Sequence, residues 1–471
     1  MKKSKKFVLS ALSAIIGLCG VLGLTAPRRA SANSAPSFYY GSTGSGAVVL
    51  TDCPVTVRHE QLTFDLDANI NLHDLNESDP AEYANTVTAE YTFFNPEDYD
   101  VHATLVFPFG TMPDYIWNGE LGSYYKSDNI TVDGAPVETR LRHTYTLAYA
   151  GGIFDIDAGI ARLRDDYAES NFIDKALPVY RYIVSLEASN AYVFVDHDGL
   201  QVASDLGGWT SYGPNGHSGL FEYVRNVETY ELYVFGEEIN VEDRISFYTD
   251  NRFRVPTSGK VAKTIVEQLT YDDFIYRRYD ENNGVSRVDW HNAAVEIIDS
   301  SFADRQTLGL HKMDFYNSLM CWYEYDVDFP ADSTVINKVT APMFPTIDAD
   351  YSPNTYTFTY LLSPASKWGS FSDLDIRINT DSYLIDQSHY ANFEATDGGY
   401  AMHLDSLPDS ELVFTLCTSA NPIRIRTAAS YALAAVVVVI IVVIVCAVVY
   451  FIGMMIALGV LLARRNNKPK V

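Results

Sequence analysis

Candidate chemistry in this chain starts with its histidines and carboxylates. Ten histidines stand at positions 59, 73, 102, 143, 197, 217, 291, 311, 389 and 403. No two have the i, i+4 spacing of a helical zinc site, and His59-Glu60 lacks the second histidine of a metalloprotease helix. Gly44-Ser45-Gly46 is no nucleophile elbow, because no strand-to-helix pattern surrounds it. Carboxylates recur at i, i+2 in Asp65/Asp67, Asp155/Asp157, Asp196/Asp198, Asp326/Asp328, Asp348/Asp350 and Asp373/Asp375. On a strand that spacing puts both side chains on one face, where clustered oxygens suit calcium. Asp196-His197-Asp198-Gly199 is the candidate calcium site of the chain, with Asp196 and Asp198 as ligands. Asp280-Glu281-Asn282-Asn283-Gly284 resembles the start of a calcium loop, but its glycine is one position early and position twelve is His291. No organic cofactor motif is present, and calcium is the one ion the pattern suggests.

Aromatic residues offer binding rather than catalysis. The chain holds 33 Tyr, 24 Phe and 5 Trp. Tyrosine suits strands for packing reasons alone. Trp117, Trp209 and Tyr212 stand in Gly-, Ser- and Pro-rich stretches, where packing explains them least, and they are the candidate ligand-binding residues.

The elements that must position these groups are mostly strands. Val87, Ala89, Tyr91 and Phe93 alternate with Thr86, Thr88, Glu90 and Thr92, and Val101, Ala103, Leu105 and Phe107 repeat the pattern after Asn95-Pro96. Trp322 to Phe329, Thr355 to Tyr360, Leu374 to Ile378, Tyr400 to Leu404 and Leu412 to Leu416 read likewise, with turn residues between them. Ile156, Ile160, Leu163 and Tyr167 instead share a helix face. Thr270 with Asp273 and Ser286 with Asp289 are capping patterns, the second leading into the apolar stripe Trp290, Ala293, Ala294, Ile297 and Ile298.

The fold class is therefore mainly β: two antiparallel β-sandwich-like domains with a short helical insertion and a helical connector. The pattern divides into an N-terminal β-rich domain over 33–240 with the insertion at about 155–167, a mostly helical connector over 241–310, and a C-terminal sandwich over 311–427. Residues 33–46 read as an exposed leader.

Both ends carry export and anchoring signals. Lys2, Lys3, Lys5 and Lys6 precede an apolar run and an Ala30-Ser31-Ala32 site, so residues 1–32 read as a signal peptide. Ala428 to Ala463 contains no charged residue and is long enough for a transmembrane helix. Arg464, Arg465, Lys468 and Lys470 follow it, which predicts a cytoplasmic tail over 464–471 and an extracellular body. No Leu-Pro-x-Thr-Gly sorting sequence precedes the run, so the helix is expected to stay in the cell membrane as a single-pass type I anchor.

The body between these segments carries 60 acidic and 24 basic side chains, which opposes nucleic acid and anionic lipid surfaces as partners. Cys53, Cys321 and Cys417 lie in it, where disulfides form. A Cys53–Cys417 bridge between the first and last strands is the expected pairing, with Cys321 a buried thiol.

TAEYTFFNPEDYDVHATLVFPFG from Thr88, YLLSPASKWGSFSDLDIRINT from Tyr360 and DGGYAMHLDSLPDSELVFTLC from Asp397 resemble a group of membrane-anchored extracellular proteins of Gram-positive bacteria. The matching motifs are strands and turns. The resemblance implies a secreted, anchored, β-rich protein, and it assigns no activity and no site residue. The expected function is a surface protein whose acidic ectodomain binds a cell-wall polysaccharide or a surface-protein partner. Two alternatives stay open: an extracellular hydrolase acting on glycans or peptides, and a subunit of a membrane complex.

Overall fold

The computed structural model describes residues 38–50, 53–67, 85–111, 113, 129–146, 155–210, 212–305 and 307–425, with a few positions between 450 and 458. The expected signal segment 1–32, Trp117, most of the apolar run 428–463 and the tail 464–471 lie outside them. Among the described residues no helix is long and apolar enough to cross a membrane.

The alternating segments are strands, and their apolar faces are buried. Val87, Ala89, Tyr91 and Phe93 of the strand Thr86–Phe94 all sit inside. That strand lies between Thr56–Asp65 and Thr334–Pro342 in an eight-stranded sheet. Two smaller sheets cover its inner face. One pairs Leu319–Phe329 with Val101–Thr111 and Thr139–Tyr145, and the other is built around Thr355–Leu361 and Leu412–Cys417. Rings interlock across the layers, with Phe93 5.5 Å from Phe329 and Phe64 5.3 Å from Phe414, centroid to centroid.

The fold is mainly β and built of sandwiches, but the chain does not divide into them in sequence. Thr56–Asp65 pairs with Leu374–Asn379, in parallel, and Thr86–Phe94 pairs with Thr334–Pro342. The first part of the expected domain 33–240, up to Tyr145, and the expected domain 311–427 are thus interleaved halves of one body, and the strands of 33–240 from Val179 onward belong to another. Alternation shows which face of a strand is buried but not which strand lies beside it.

The second sandwich is the stretch in between. Val179–Ala188 is flanked by Val227–Phe235 and Gly259–Leu269, and a sheet of Ala191–Asp196, Gly219–Val224 and Ile245–Tyr248 belongs to the same lobe. Tyr182, Val184, Leu186, Val193, Val195, Leu232 and Val234 form its core. The connector 241–310 is therefore helical only in its second half. Gly259–Leu269 is an 11-residue strand at the sheet edge with mostly exposed side chains, so it lacks the apolar alternation that reveals a strand. The insertion expected over 155–167 contributes one short helix, Ile156–Ile160, capped by the Asp155 carboxylate, which accepts from the Ala158 N–H at 3.0 Å. Tyr167 is 52% exposed and not part of that helix.

The leader reading of 33–46 is also corrected from Thr43 onward. Thr43–Ser45 is a strand parallel to Thr359–Leu361, and Ser45 and Ala47 are buried. A Cβ on Gly46 would stand 3.0 Å from the Tyr91 hydroxyl, so the small residues here serve close packing. Cys53 and Cys417 are buried free thiols, and the expected bridge between them is not formed. Cys417 instead donates its S–H toward the Asn354 carbonyl, 3.4 Å away. Cys321 is the buried free thiol anticipated.

The helix Arg287–Arg305 joins the two β bodies. Trp290, Ala293, Ala294, Ile297 and Ile298 are all buried, as their spacing predicts. Phe302 meets Phe235 of the second sandwich at 5.7 Å, and Trp290 stacks on Phe315 at 4.1 Å on the other side. The first turn is hooked to a strand: the Asp289 carboxylate accepts from the Arg142 guanidinium at 3.2 Å and from the His143 N–H at 3.0 Å. Arg142 also donates to Glu324 at 2.7 Å. All three charged side chains are buried. Removing one member strands the others in a medium that solvates charge poorly, at a cost of about 3–5 kcal/mol. Urea titration of Arg142→Met should show a loss of that order, whereas exposed Arg164→Met, which only breaks a surface pair with Asp166, should change little.

Candidate functional site

The buried helix positions more than the core. Asn292 accepts from the Ala168 N–H at 2.7 Å and donates to the Asp166 carbonyl at 3.1 Å. Asp299, two turns on, accepts from the Asn171 N–H at 2.9 Å. These bonds lay the irregular stretch 166–171 along the helix. A second wall is the helix Tyr271–Ile275, started by a reciprocal cap between Thr270 and Asp273. Between the two walls opens a cleft of about 500 Å³, within the range of small-molecule sites.

Tyr167, Ile173, Tyr271, Tyr276, Arg287 and His291 line it, with Glu169, Asp174, Lys175 and Asp272 around the rim. The His291 tautomer follows from its partners. Its Nε2 faces the Ala168 carbonyl at 3.1 Å, an acceptor only, so Nε2 carries the proton. Nδ1 is then free to accept from the Tyr276 hydroxyl at 3.2 Å. Burial disfavours the imidazolium and holds His291 below the ordinary histidine range. Burial likewise pushes the Tyr276 phenol up to about 12, so this phenol keeps its proton. The Arg287 guanidinium lies over the Tyr276 ring, 3.5 Å from its centroid. Among the described residues Arg287 forms no salt bridge, while Lys175 is paired with Glu169 at 2.8 Å. The Tyr271 hydroxyl is buried and has no hydrogen-bond partner among the described residues. An unmet polar group costs about 1–3 kcal/mol, which a ligand's oxygen would recover.

This arrangement can bind a polar ring: aromatic faces from Tyr167 and Tyr276, a free hydroxyl from Tyr271 and a cation from Arg287. It offers no activated nucleophile. Ser170 holds its hydroxyl between Asp299 and the N–H groups of Phe172 and Ile173.

The residues singled out in the sequence lie elsewhere. Trp209 rests half-buried against the second sandwich, with the Arg305 guanidinium 5.3 Å from its ring. Tyr212 is 87% exposed. Neither lines the cleft. Asp196 engages both carboxylate oxygens, one with His217 at 2.6 Å and one with the Asp198 N–H at 2.9 Å, closing a turn. Among the described residues no group of three or more His, Cys, Asp or Glu is placed to hold a metal ion. The pair Asp373/Asp375 does share a face, where histidines from neighbouring strands answer it: Asp375 bonds His59 at 3.0 Å and His403 at 2.9 Å, and Asp373 lies 3.3 Å from His403. Asp375 chiefly, then Asp405, raises the His403 pKa, and Asp373 adds to the effect.

Tyr271, Tyr276, Arg287 and His291 were not recognisable as a site. One signal was available: Arg287 and His291 are four apart on a capped helix and share a face.

No family model matches the chain, and no curated protein matches it. Among solved structures, one described as a nutrient-binding protein from Legionella pneumophila is similar at 12% identity and a TM-score of 0.31, covering 81% of this chain and 72% of that one. A likeness so slight carries no functional argument.

The geometry fixes an observable for His291. Imidazole nitrogen NMR should find the Nε2–H tautomer at neutral pH and a titration midpoint below 6.5. Because the folded value is depressed, the neutral ring contributes stability above the unfolded pKa, and that contribution is lost as pH falls through the folded value. A midpoint above 6.5 would contradict the assignment.

Proposed function

We propose that this chain is a non-enzymatic surface protein whose β-rich body binds a cell-wall polysaccharide, taking one polar ring into the tyrosine cleft. The body is exported behind residues 1–32 and held at the membrane by the apolar run 428–463, as the sequence pattern suggests. The observation that carries the reading is the cleft itself, with the unsatisfied Tyr271 hydroxyl at its wall.

The chemistry fits a sugar better than a flat apolar ligand. A pyranose has an apolar C–H face that packs on the negative face of a tyrosine ring, and hydroxyls around its edge. Tyr167 is exposed enough to offer its ring, and Tyr271 and Arg287 supply donors at the edge. Arg287 further favours a sugar bearing a carboxylate or phosphate substituent. The surrounding acidic surface works against long anionic polymers at low salt. Recognition is therefore local, of one unit in the cleft, and not a matter of overall charge.

Calorimetry of the detergent-solubilised full chain against purified wall polysaccharide and peptidoglycan fragments tests this. Saturable binding is expected, and Tyr167→Ala and Tyr271→Phe should each weaken it about tenfold, roughly 1.4 kcal/mol. Trp209→Ala should leave it unchanged. Equal affinity in both tyrosine variants would remove the cleft from the site, and release of cleaved sugar would favour the hydrolase reading.

A further inference from the structure

Glu60 is the least explained titratable group in the molecule. It is 1% exposed, in the centre of the eight-stranded sheet, where the Tyr91 hydroxyl bonds its carboxyl and its Oε1 has no hydrogen-bond partner among the described residues. Tyrosines surround it on the elements packed there. Tyr91 is its neighbour across the ladder, and Tyr360 and Tyr325 approach from the covering layer. The Tyr360 hydroxyl is also buried and faces Tyr91. Among the described residues no Lys, Arg or His forms an ion pair with Glu60: Arg58 lies over the Phe94 ring, and His59 is turned to Asp375.

The roof of this cage is the N-terminal strap. The Ala47 N–H donates to the Tyr91 hydroxyl at 2.9 Å, and the missing Cβ of Gly46 would lie 3.9 Å from Glu60 Oε1. The strap is held to the body by the short parallel pairing of Thr43–Ser45, by the antiparallel pairing of Val48 and Val49 with Val106 and Leu105, by Ser42, whose N–H donates to the Phe344 carbonyl at 2.9 Å, and by the Trp368 indole N–H, which donates to the Ala47 carbonyl at 3.0 Å. Each of its pairings is only two or three residues long, against the ten-residue strand that carries Glu60.

We propose that Glu60 is a pH-operated latch on the strap Ser42–Val49: as a neutral acid it lets the strap close over the tyrosine cage, and as a carboxylate it drives the strap open to reach water. The strap is the element that yields, because the other walls of the cage are long, multiply paired strands. Burial holds the Glu60 acid neutral up to about 8, far above a free carboxyl. The folded value is raised, so the latch is fully closed below the unfolded carboxyl range and its contribution is lost as pH rises through about 8. The tyrosines do not share the proton loss, since burial raises each of them further.

Amide hydrogen exchange on the full chain, normalised to intrinsic rates at each pH, separates the outcomes. Between pH 6 and pH 9 the protection of Ser45 to Val49 should fall at least tenfold in the wild type, with the core strand Thr86–Phe94 unchanged. Glu60→Gln, which keeps shape and removes the charge, should hold the same protection at both pH values. Infrared difference spectra of the wild type provide a readout independent of any variant: the protonated-carboxyl band should vanish over the same pH range. Constant strap protection in the wild type, an equal fall in Glu60→Gln, or absence of that band would each overturn the latch.

Discussion

One buried ion cluster ties this molecule together. Asp289 enters the interior on the first turn of a helix and meets Arg142, which in turn bonds Glu324 on the adjacent strand. Burying three charges costs several kcal/mol each in lost hydration, and apolar residues would pack there at less cost. What the cluster adds is registry. A carboxylate that must meet one guanidinium and one backbone N–H allows the helix a single rotation and height against the sheet. That placement turns Trp290 toward Phe315, His291 toward Ala168 and Asn292 toward the loop backbone. The candidate cleft depends on the same turn.

The helix also explains how a chain of interleaved halves becomes one body. The first strands wait for partners more than 240 residues later, as Thr334–Pro342 and Leu374–Asn379 are for Thr86–Phe94 and Thr56–Asp65. Such distant pairings carry a large loop-closure cost and slow folding. The second sandwich closes most of the intervening loop on its own core, through the antiparallel pairing of Val179–Ala188 with Val227–Phe235 and Gly259–Leu269. The helix then docks that lobe through Phe302 and the nearby Phe274, which meet Phe235 edge to face.

Two buried acids show two ways of tolerating a carboxyl inside a protein. Burial raises the Asp289 pKa, and the Arg142 guanidinium beside it pulls the other way and favours the carboxylate. Glu60 has no cation and stays neutral among tyrosines. The exterior follows a third pattern. In a chain of net charge −26, exposed carboxylates recruit histidines, as in His59–Asp375–His403, His102–Asp328 and Asp196–His217. These pairs relieve like-charge crowding at the surface and add little to stability, being well solvated.

The sequence by itself determined the local grammar. Strand faces such as Val87 to Phe93, the stripe of the buried helix with its Ser286 cap, and the Thr270 cap of the short helix before it are written in residues a few positions apart, and local spacing alone reveals them. The expectation of an export segment and an anchor rests on similarly local patterns. Tertiary structure decided everything that needed a distant partner. Gly44 and Gly46 read as a flexible leader until Tyr91 and Tyr360 are seen beneath them. Gly259–Leu269 hid because an edge strand with exposed faces has no hydrophobic period. Cys53 and Cys417 suggested a bridge from their places at the chain's ends, yet each thiol is buried on its own. The cleft was the least legible of all. Tyr167 carries no mark of its partnership with Tyr271 and His291, more than 100 positions away. Only the packing of a charged helix between two β bodies brings them together.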